Sequence, residues 1–586
     1  MGLHDFPYGK AMLKKPFLLL IAVAALSMTG CPDGGDGPSP GGSLASSGNL
    51  VYLADQSTNG VFELFLASTG AKLNGPIVAG GNGVTSFALT PDKSAVVYIA
   101  DEKTVGVFEL FRVNIATPGQ SVKLNGTLTP GGDVTSFAVT PDGTSVVYRA
   151  NQRNAALFEV FQVLFATPQA STPLNPSFPV GSGGVKKFAV TPDSTKVVYI
   201  ADQTTPNVNE LYQVAFINPL NAPKLNVPLA APKNVTDFAI SSNSASVVYL
   251  ADQNINGVFE IFPAPISGSG SATSLNPPLI AGQTITAFAI TPDNSAVIYR
   301  ANNTPAAQFA LFLVTFAQPQ TSVVTLNGAL TPGGNVSSFT IAPNGSSVVY
   351  SADQNIVGVV EVFRVPITPV GAAQKINPTF AAPQTVSAFA ITPDSSAAVY
   401  LANQRGTNSG ATTNAAGYAV GTTVITLALA GTGTIMVGDV ITFTGDSNNY
   451  VVVSGDNNVA DGGTITLATP GLLQAIPAVA TTITTVNNIA QLYRVPFSCL
   501  QVNPAAACPQ AIPAPTNLPP LNGALVAGGA VSSFAVSPDS TLVFYLADQT
   551  TFAVTELYAV NVGSPGASSK LNGQLTPGGN VTAFAF

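Results

Sequence analysis

The chain has 586 residues, 46% hydrophobic and only 9% charged, with a formal net charge of -8. Its one histidine is His4 and it has no tryptophan, which excludes Ser-His-Asp or Cys-His catalysis and a histidine-ligated zinc centre anywhere beyond the first residues. So few, scattered cations on an acidic chain also make no basic patch for nucleic acid.

In chain order, the first feature is "MLKKPFLLLIAVAALSMTGC" from Met12. Lys14 and Lys15 precede an apolar core, Phe17 to Leu26, shorter than the ~20 residues of a comfortable membrane span. The "SMTGC" that closes it resembles the bacterial lipobox. That resemblance implies removal of residues 1–30 and diacylation of Cys31, two chains being enough for stable anchoring. An ordinary secretory signal is the alternative. Loss of Lys10, Lys14, Lys15, Asp5 and His4 leaves a mature chain that is more acidic and free of imidazole. By the same resemblance, Pro32 after the acceptor, rather than Asp, implies an outer-membrane lipoprotein on the periplasmic or cell-surface side. Residues 31–49 are rich in Gly, Ser and Pro and read as a flexible tether.

From Leu50 one phrase recurs. The tyrosines Tyr52, Tyr98, Tyr148, Tyr199, Tyr249, Tyr299, Tyr350 and Tyr400 lie 46 to 51 residues apart, and a ninth, Tyr545, follows after 145. Each copy runs through four short apolar stretches: strand a ("VTSFAVTPD"), strand b ("SVVYRANQ"), strand c ("FEVFQV") and strand d around a Leu-Asn pair. Pro-Asp-Gly or Pro-Asp-Ser between a and b is a turn with a mechanism, since Pro presets φ and Asp bonds back to its own backbone. The stretches are apolar on both faces, as strands between two neighbouring sheets are. Four-stranded sheets at this period predict an all-β fold, a closed β-propeller over residues 50–404 and 491–586. The first copy begins at strand b and the chain ends on "NVTAFAF", a strand a, so the two ends are predicted to share one blade. That count gives nine blades, with eight or an unclosed arc as alternatives.

The repeat as a whole resembles the TolB-type, WD-like propeller repeat of bacterial periplasmic proteins, in its Pro-Asp-Gly turn, its apolar strand ending near Asp and its following Glu-aromatic strand. It departs from that pattern in having Phe for Trp in strand a and Ser242-Asn243 and Pro343-Asn344 for two of the turns. The resemblance implies an interaction role in the cell envelope.

Residues 405–490 interrupt the b–c connection of blade 8 with alternating stretches and Gly turns, predicting a small inserted β domain, barrel or sandwich. Its "VGDVITFTG…YVVVSG" is similar to small β domains of phage structural proteins. Asp446, Asn448, Asp456 and Asp461 within it are candidate calcium ligands, but they match no EF-hand spacing, and a solvated loop is the preferred reading. Cys499 and Cys508, outside the cytoplasm, are expected to form a disulfide.

The residue after strand b is always Asp or Asn: Asp55, Asp101, Asn151, Asp202, Asp252, Asn302, Asp353, Asn403 and Asp548. Strand c opens with Glu63, Glu109, Glu159, Glu210, Glu260, Glu361 or Glu556 in seven copies. Carboxylate pairs serve acid–base catalysis, yet an enzyme needs one asymmetric site rather than one per blade. A structural role in each blade is therefore expected, with no catalytic residue, no metal and no cofactor. The function expected is a lipid-anchored protein-interaction scaffold with a protein partner, a membrane attachment and no nucleic acid. A surface adhesin using the insert, or a carboxylate-based enzyme acting on glycan or peptide, are the alternatives.

Overall fold

The computed structural model describes residues 49–586 apart from 303–307, 381, 383, 405–408, 414–415, 433–434, 436–438, 457–458, 486–488, 498–517 and 527–528. The lipobox with Cys31, the tether before Asn49, and the Cys499–Cys508 pair lie outside the described residues.

Nine antiparallel sheets, each ordered a-b-c or a-b-c-d, form a nine-bladed β-propeller. Blade 2 is representative: strand a is Val84–Leu89, b Ala95–Ala100, c Glu109–Asn114 and d Val122–Lys123. Later blades open with strands a at Val134, Val185, Val235, Ile285, Val336, Val386 and Val531. Blade 1 draws on both ends of the chain. Its strand b, Val51–Thr58, pairs on one side with strand c, Val61–Leu66, and on the other with the last strand, Val581–Ala585. Tyr52 lies opposite Phe584 in that pairing.

Packing explains why the repeat is apolar on both faces. The clusters of buried side chains run between blades: Val51, Leu53 and Leu64 of blade 1 pack with Val96, Tyr98 and Phe111 of blade 2. The seam that closes the ring sets Tyr52 and Phe65 against Phe544, Leu546 and Leu557 of blade 9. In each blade the strand-b tyrosine stacks on the aromatic residue opposite it in strand c, as Tyr148 does on Phe161 with centroids 5.4 Å apart. Strands a form the inner edge, where those of blades 5 and 6 approach each other.

The outer strand d is short. In blades 2, 3, 6, 7 and 9 it adds two or three residues to the sheet, whereas in blades 1 and 4 it is reduced to single bridges, Phe65 to Lys72 and Tyr212 to Lys224. Its constant contribution is the asparagine. The Asn74 Oδ1 atom accepts the strand-c N–H of Leu64 at 2.7 Å, and Asn125, Asn175, Asn226, Asn276, Asn327, Asn377, Asn522 and Asn572 do the same in their blades.

The a–b turns link neighbouring blades. The backbone N–H of Asp142 donates to Ser194 Oγ of the next blade at 3.0 Å, Asp193 to Ser244, Asn344 to Ser395 and Asp394 to Ser540. Those serines hold positive φ, between 58° and 62°. That conformation is costly for a residue with a Cβ, and the inter-blade bond offsets it. Where the position is Gly143 or Gly345, the turn keeps its shape through glycine alone.

Between strands b (Ala397–Ala402) and c (Gln491–Pro496) of blade 8 sits a closed six-stranded barrel. Around it the strands run Ser409–Thr412, Val424–Thr432, Gly463–Leu467, Tyr450–Ser454, Val440–Phe443 and Thr482–Thr485. It has its own core, including Ile425, Ile441, Phe443, Val452, Ile465 and Ile483.

Candidate functional site

The repeated acidic positions gather at the end of each sheet where the b–c and d–a connections emerge, and their bonding decides what they can do. In every blade the Asp or Asn after strand b accepts the N–H of the residue that precedes strand a of the same blade. Asp202 takes Gly184 and Gly183 at 2.9 Å, Asp55 takes Asn580 at 2.5 Å, and Asp252 takes Asn234 at 2.6 Å. Asp353 takes Asn335, Asp548 takes Ala530 and Asp101 takes Gly83. Asn151, Asn302 and Asn403 use their amide oxygens in the same way. The second aspartate oxygen receives an N–H from the b–c loop: Gly60, Gly106, Asn207, Gly257, Gly358 or Ala553. Asn151 instead donates its amide to the Ala155 carbonyl at 2.8 Å, so the amide stands where the loop offers an acceptor.

Burial pushes the Asp202 carboxyl up, but hydrogen bonds from Gly183, Asn207 and Ser182 outweigh it and hold the group below its usual range. Replacing Asp202 with Ala is expected to cost about 3 kcal/mol, because three N–H groups lose their acceptor together. Asp202→Asn should cost about 1 kcal/mol or less, as the natural asparagines of blades 3, 6 and 8 indicate. Urea unfolding of the two variants measures the difference; equal losses would mean that the carboxylate charge, not the acceptor, matters.

The strand-c glutamates are likewise occupied inside their own blades. Glu63 pairs with Lys72 at 2.9 Å, Glu210 with Lys224 at 2.6 Å and Glu361 with Lys375 at 3.0 Å. Glu109 pairs with Lys123 and Glu556 with Lys570. In blade 3, where Pro173 replaces the strand-d lysine, Arg153 holds Glu159 instead. In blade 5, where the position is Ser274, Asn254, Asn276 and the Leu279 N–H hold Glu260. Blade 6 has Thr325 in strand d and Ala310 in strand c, and blade 8 has Pro520 and Gln491. Blades 6 and 8 thus lack the acid together with the strand-d cation, whereas blade 5 keeps Glu260 on neutral donors alone; either way no buried carboxylate of the repeat stands without partners.

One acid stands outside the pattern. Two residues beyond strand b most blades carry glutamine, such as Gln152, which accepts from Tyr148 and donates to Ser171. Blade 2 has Glu102, fully buried, accepting from Tyr98, from Ser121 Oγ at 2.8 Å and from the Gly75 N–H at 2.9 Å. Sequence reasoning passed over it because it follows Asp101 within the conserved-looking phrase; its departure from glutamine was the available signal. Its oxygens serve the seam between blades 1 and 2 rather than a cleft.

In the insert, Asp446 accepts from the N–H and amide of Asn448 and from the Tyr450 hydroxyl at 2.5 Å. Among the described residues, no group of three or more His, Cys, Asp or Glu side chains converges as a metal site would.

No family model matches the chain and no curated protein matches it. Solved structures similar to it include an oligogalacturonate lyase from Vibrio parahaemolyticus, 14% identical, covering 60% of this chain and 93% of that one at a TM-score of 0.35. A structure described as the eukaryotic initiation factor is 9% identical over 91% of this chain and 97% of that one, TM-score 0.46. Dipeptidyl peptidase 4 from Porphyromonas gingivalis is 9% identical over 65% and 56%, TM-score 0.45.

Proposed function

We propose that the chain is a TolB-like, lipid-anchored propeller of the bacterial cell envelope that binds another protein and catalyses nothing. The observation that carries this reading is the saturation of its acidic positions: the repeated carboxylates that an acid–base mechanism would draw on are spent on backbone and lysine partners within each blade. Among polar neighbours, the b–c and d–a loops offer several large apolar side chains to solvent. Val180 is fully exposed, and Val105, Ile280, Val357 and Phe552 are more than half exposed. Side chains of this kind on one end of a rigid ring suit protein recognition. The inserted barrel leaves the same end and adds exposed Leu429, Val420 and Val479. Anchoring through Cys31 and residence in the outer membrane belong to the same proposal.

Crosslinking in intact cells followed by mass spectrometry tests it, with the full chain and with a version lacking residues 405–490. A protein crosslinked to the loop end in the membrane fraction is the expected result. Loss of that partner on deleting the insert would make the barrel the binding tip, as in an adhesin. Recovery of the chain uncrosslinked from the soluble fraction would end both readings.

A further inference from the structure

The inner wall is nearly free of charge: among the described residues, strands a contribute only Lys186, Lys187 and Asp237. At the fifth position of strand b, which lies against strand a, most blades place Leu or Ile, but blades 3 and 6 place Arg149 and Arg300. In an acidic chain, four of these five charged groups are cations.

Arg149 is held rigidly. Its Nε–H donates to the Val185 carbonyl of blade 4 at 2.6 Å, its Nη1 to Thr135 Oγ1 of its own blade at 2.9 Å, and its guanidinium lies 3.8 Å from the centre of the Phe158 ring. These partners are all neutral, and no carboxylate lies within ion-pair distance among the described residues. Burial pushes the group's pKa down, as it does for any half-desolvated cation without a counter-ion. The next residue after its carbonyl acceptor is Lys186, exposed, in reach of Asp202 electrostatically but not as an ion pair. Lys187, one further on, is paired across the seam with Asp237. Arg300 repeats the clamp, on Val336, Thr286 and the Phe309 ring. There the residues after the carbonyl are Ser337 and Ser338, so the second cation is missing.

We propose that the seam between blades 3 and 4, where Arg149 meets the start of strand a of blade 4, binds an oxyanion, a carboxylate or a phosphate. Arg149 supplies a fixed guanidinium whose Nη2 has no hydrogen-bond partner among the described residues, the geometry that suits a planar or tetrahedral oxyanion. Lys186 supplies a mobile second charge. Bound anion would provide the counter-charge that the half-buried guanidinium lacks. Blade 6 is the built-in control, with the same clamp and no lysine.

The test is calorimetric titration of the full chain with inorganic phosphate and, separately, with citrate at low ionic strength. Saturable binding of at least one is expected, weakened about tenfold by Arg149→Gln and severalfold by Lys186→Gln, and changed less than about twofold by Arg300→Gln. Preference between the two probes tells phosphate from carboxylate. Absence of saturable binding by both, wild-type affinity in Arg149→Gln, or an equal loss in Arg300→Gln would overturn the proposal. Should Arg149→Gln fail to fold, the exposed Lys186 variant decides: wild-type affinity there also overturns it. This outcome is independent of whether a protein partner is found at the loops.

Discussion

Deleting residues 581–586 is expected to cost roughly 5–8 kcal/mol and to promote self-association through the exposed edge. The last strand supplies four residue pairs to strand b of blade 1, Val51 with Ala585 through Ala54 with Val581. Its backbone bonds contribute about 1 kcal/mol each. Val581 is fully buried, and burial of such a side chain contributes about 2 kcal/mol. Phe584 and Phe586 pack on Phe544 of blade 9, at 6.4 and 4.9 Å between centroids, and losing both half-buried rings adds a few kcal/mol. Without the strand, blade 1 presents an unpaired edge beside the channel, and another copy can supply the missing partner. Urea unfolding combined with size exclusion and light scattering reads both effects. Unchanged stability and unchanged size would mean that the ring does not depend on its two ends meeting, and the two-ended blade would lose its meaning.

That closure was legible in the sequence because two incomplete copies at opposite ends complemented each other. The blade count was legible because a weak motif recurs in register around a fixed tyrosine. The sites were harder. That Asp101 and Asp202 serve backbone could be argued from their repetition, but the N–H groups they accept, 18 residues before and 5 residues after, belong to residues of different types, so no side chain marks them as the partners. The longer hairpins of blades 1 and 5 were missed although their signal is local. Thr58 pairs with Val61 and Ile255 with Val258 across Asn-Gly, where Gly60 and Gly257 hold φ of 81° and 77°. Val105-Gly106 and Val357-Gly358 occupy the same place in blades 2 and 7, where the strands stop short. The clamp at Arg149 was out of reach, because an arginine inside an apolar strand reads as a surface position until the neighbouring blade is placed against it. The outer strand was over-read for a related reason: Pro and Ser near the Leu-Asn pair weaken an edge that one flank alone supports.

Alkali is expected to unfold the protein steeply just above pH 10. All nine strand-b tyrosines have their pKa raised, in each case chiefly because burial disfavours the phenolate. Tyr148 and Tyr545 are pushed up to about 12 despite hydrogen bonds that favour ionisation. For Tyr98 the negative charge of Glu102 adds to the effect of burial. The sign follows from linkage. In the unfolded chain a tyrosine ionises near pH 10, whereas in the fold it stays neutral, so the fold binds more protons above that pH. The stability is complete below about pH 9 and is lost as pH rises through 10 toward the folded values. Each group contributes up to about 1.4 kcal/mol per pH unit, and nine acting together contribute roughly 12. A stability of ordinary size, about 5–15 kcal/mol, would be exhausted within one or two pH units. Phenolate absorbance and circular dichroism followed on one sample should therefore change together, most of the 15 tyrosines ionising only as the strands are lost. Tyr148→Phe should make the transition shallower by about one proton. If the phenolates instead appear gradually around pH 10 while the dichroism stays native, water reaches the strand-b hydroxyls and the seams between blades are not the dry core that holds the ring.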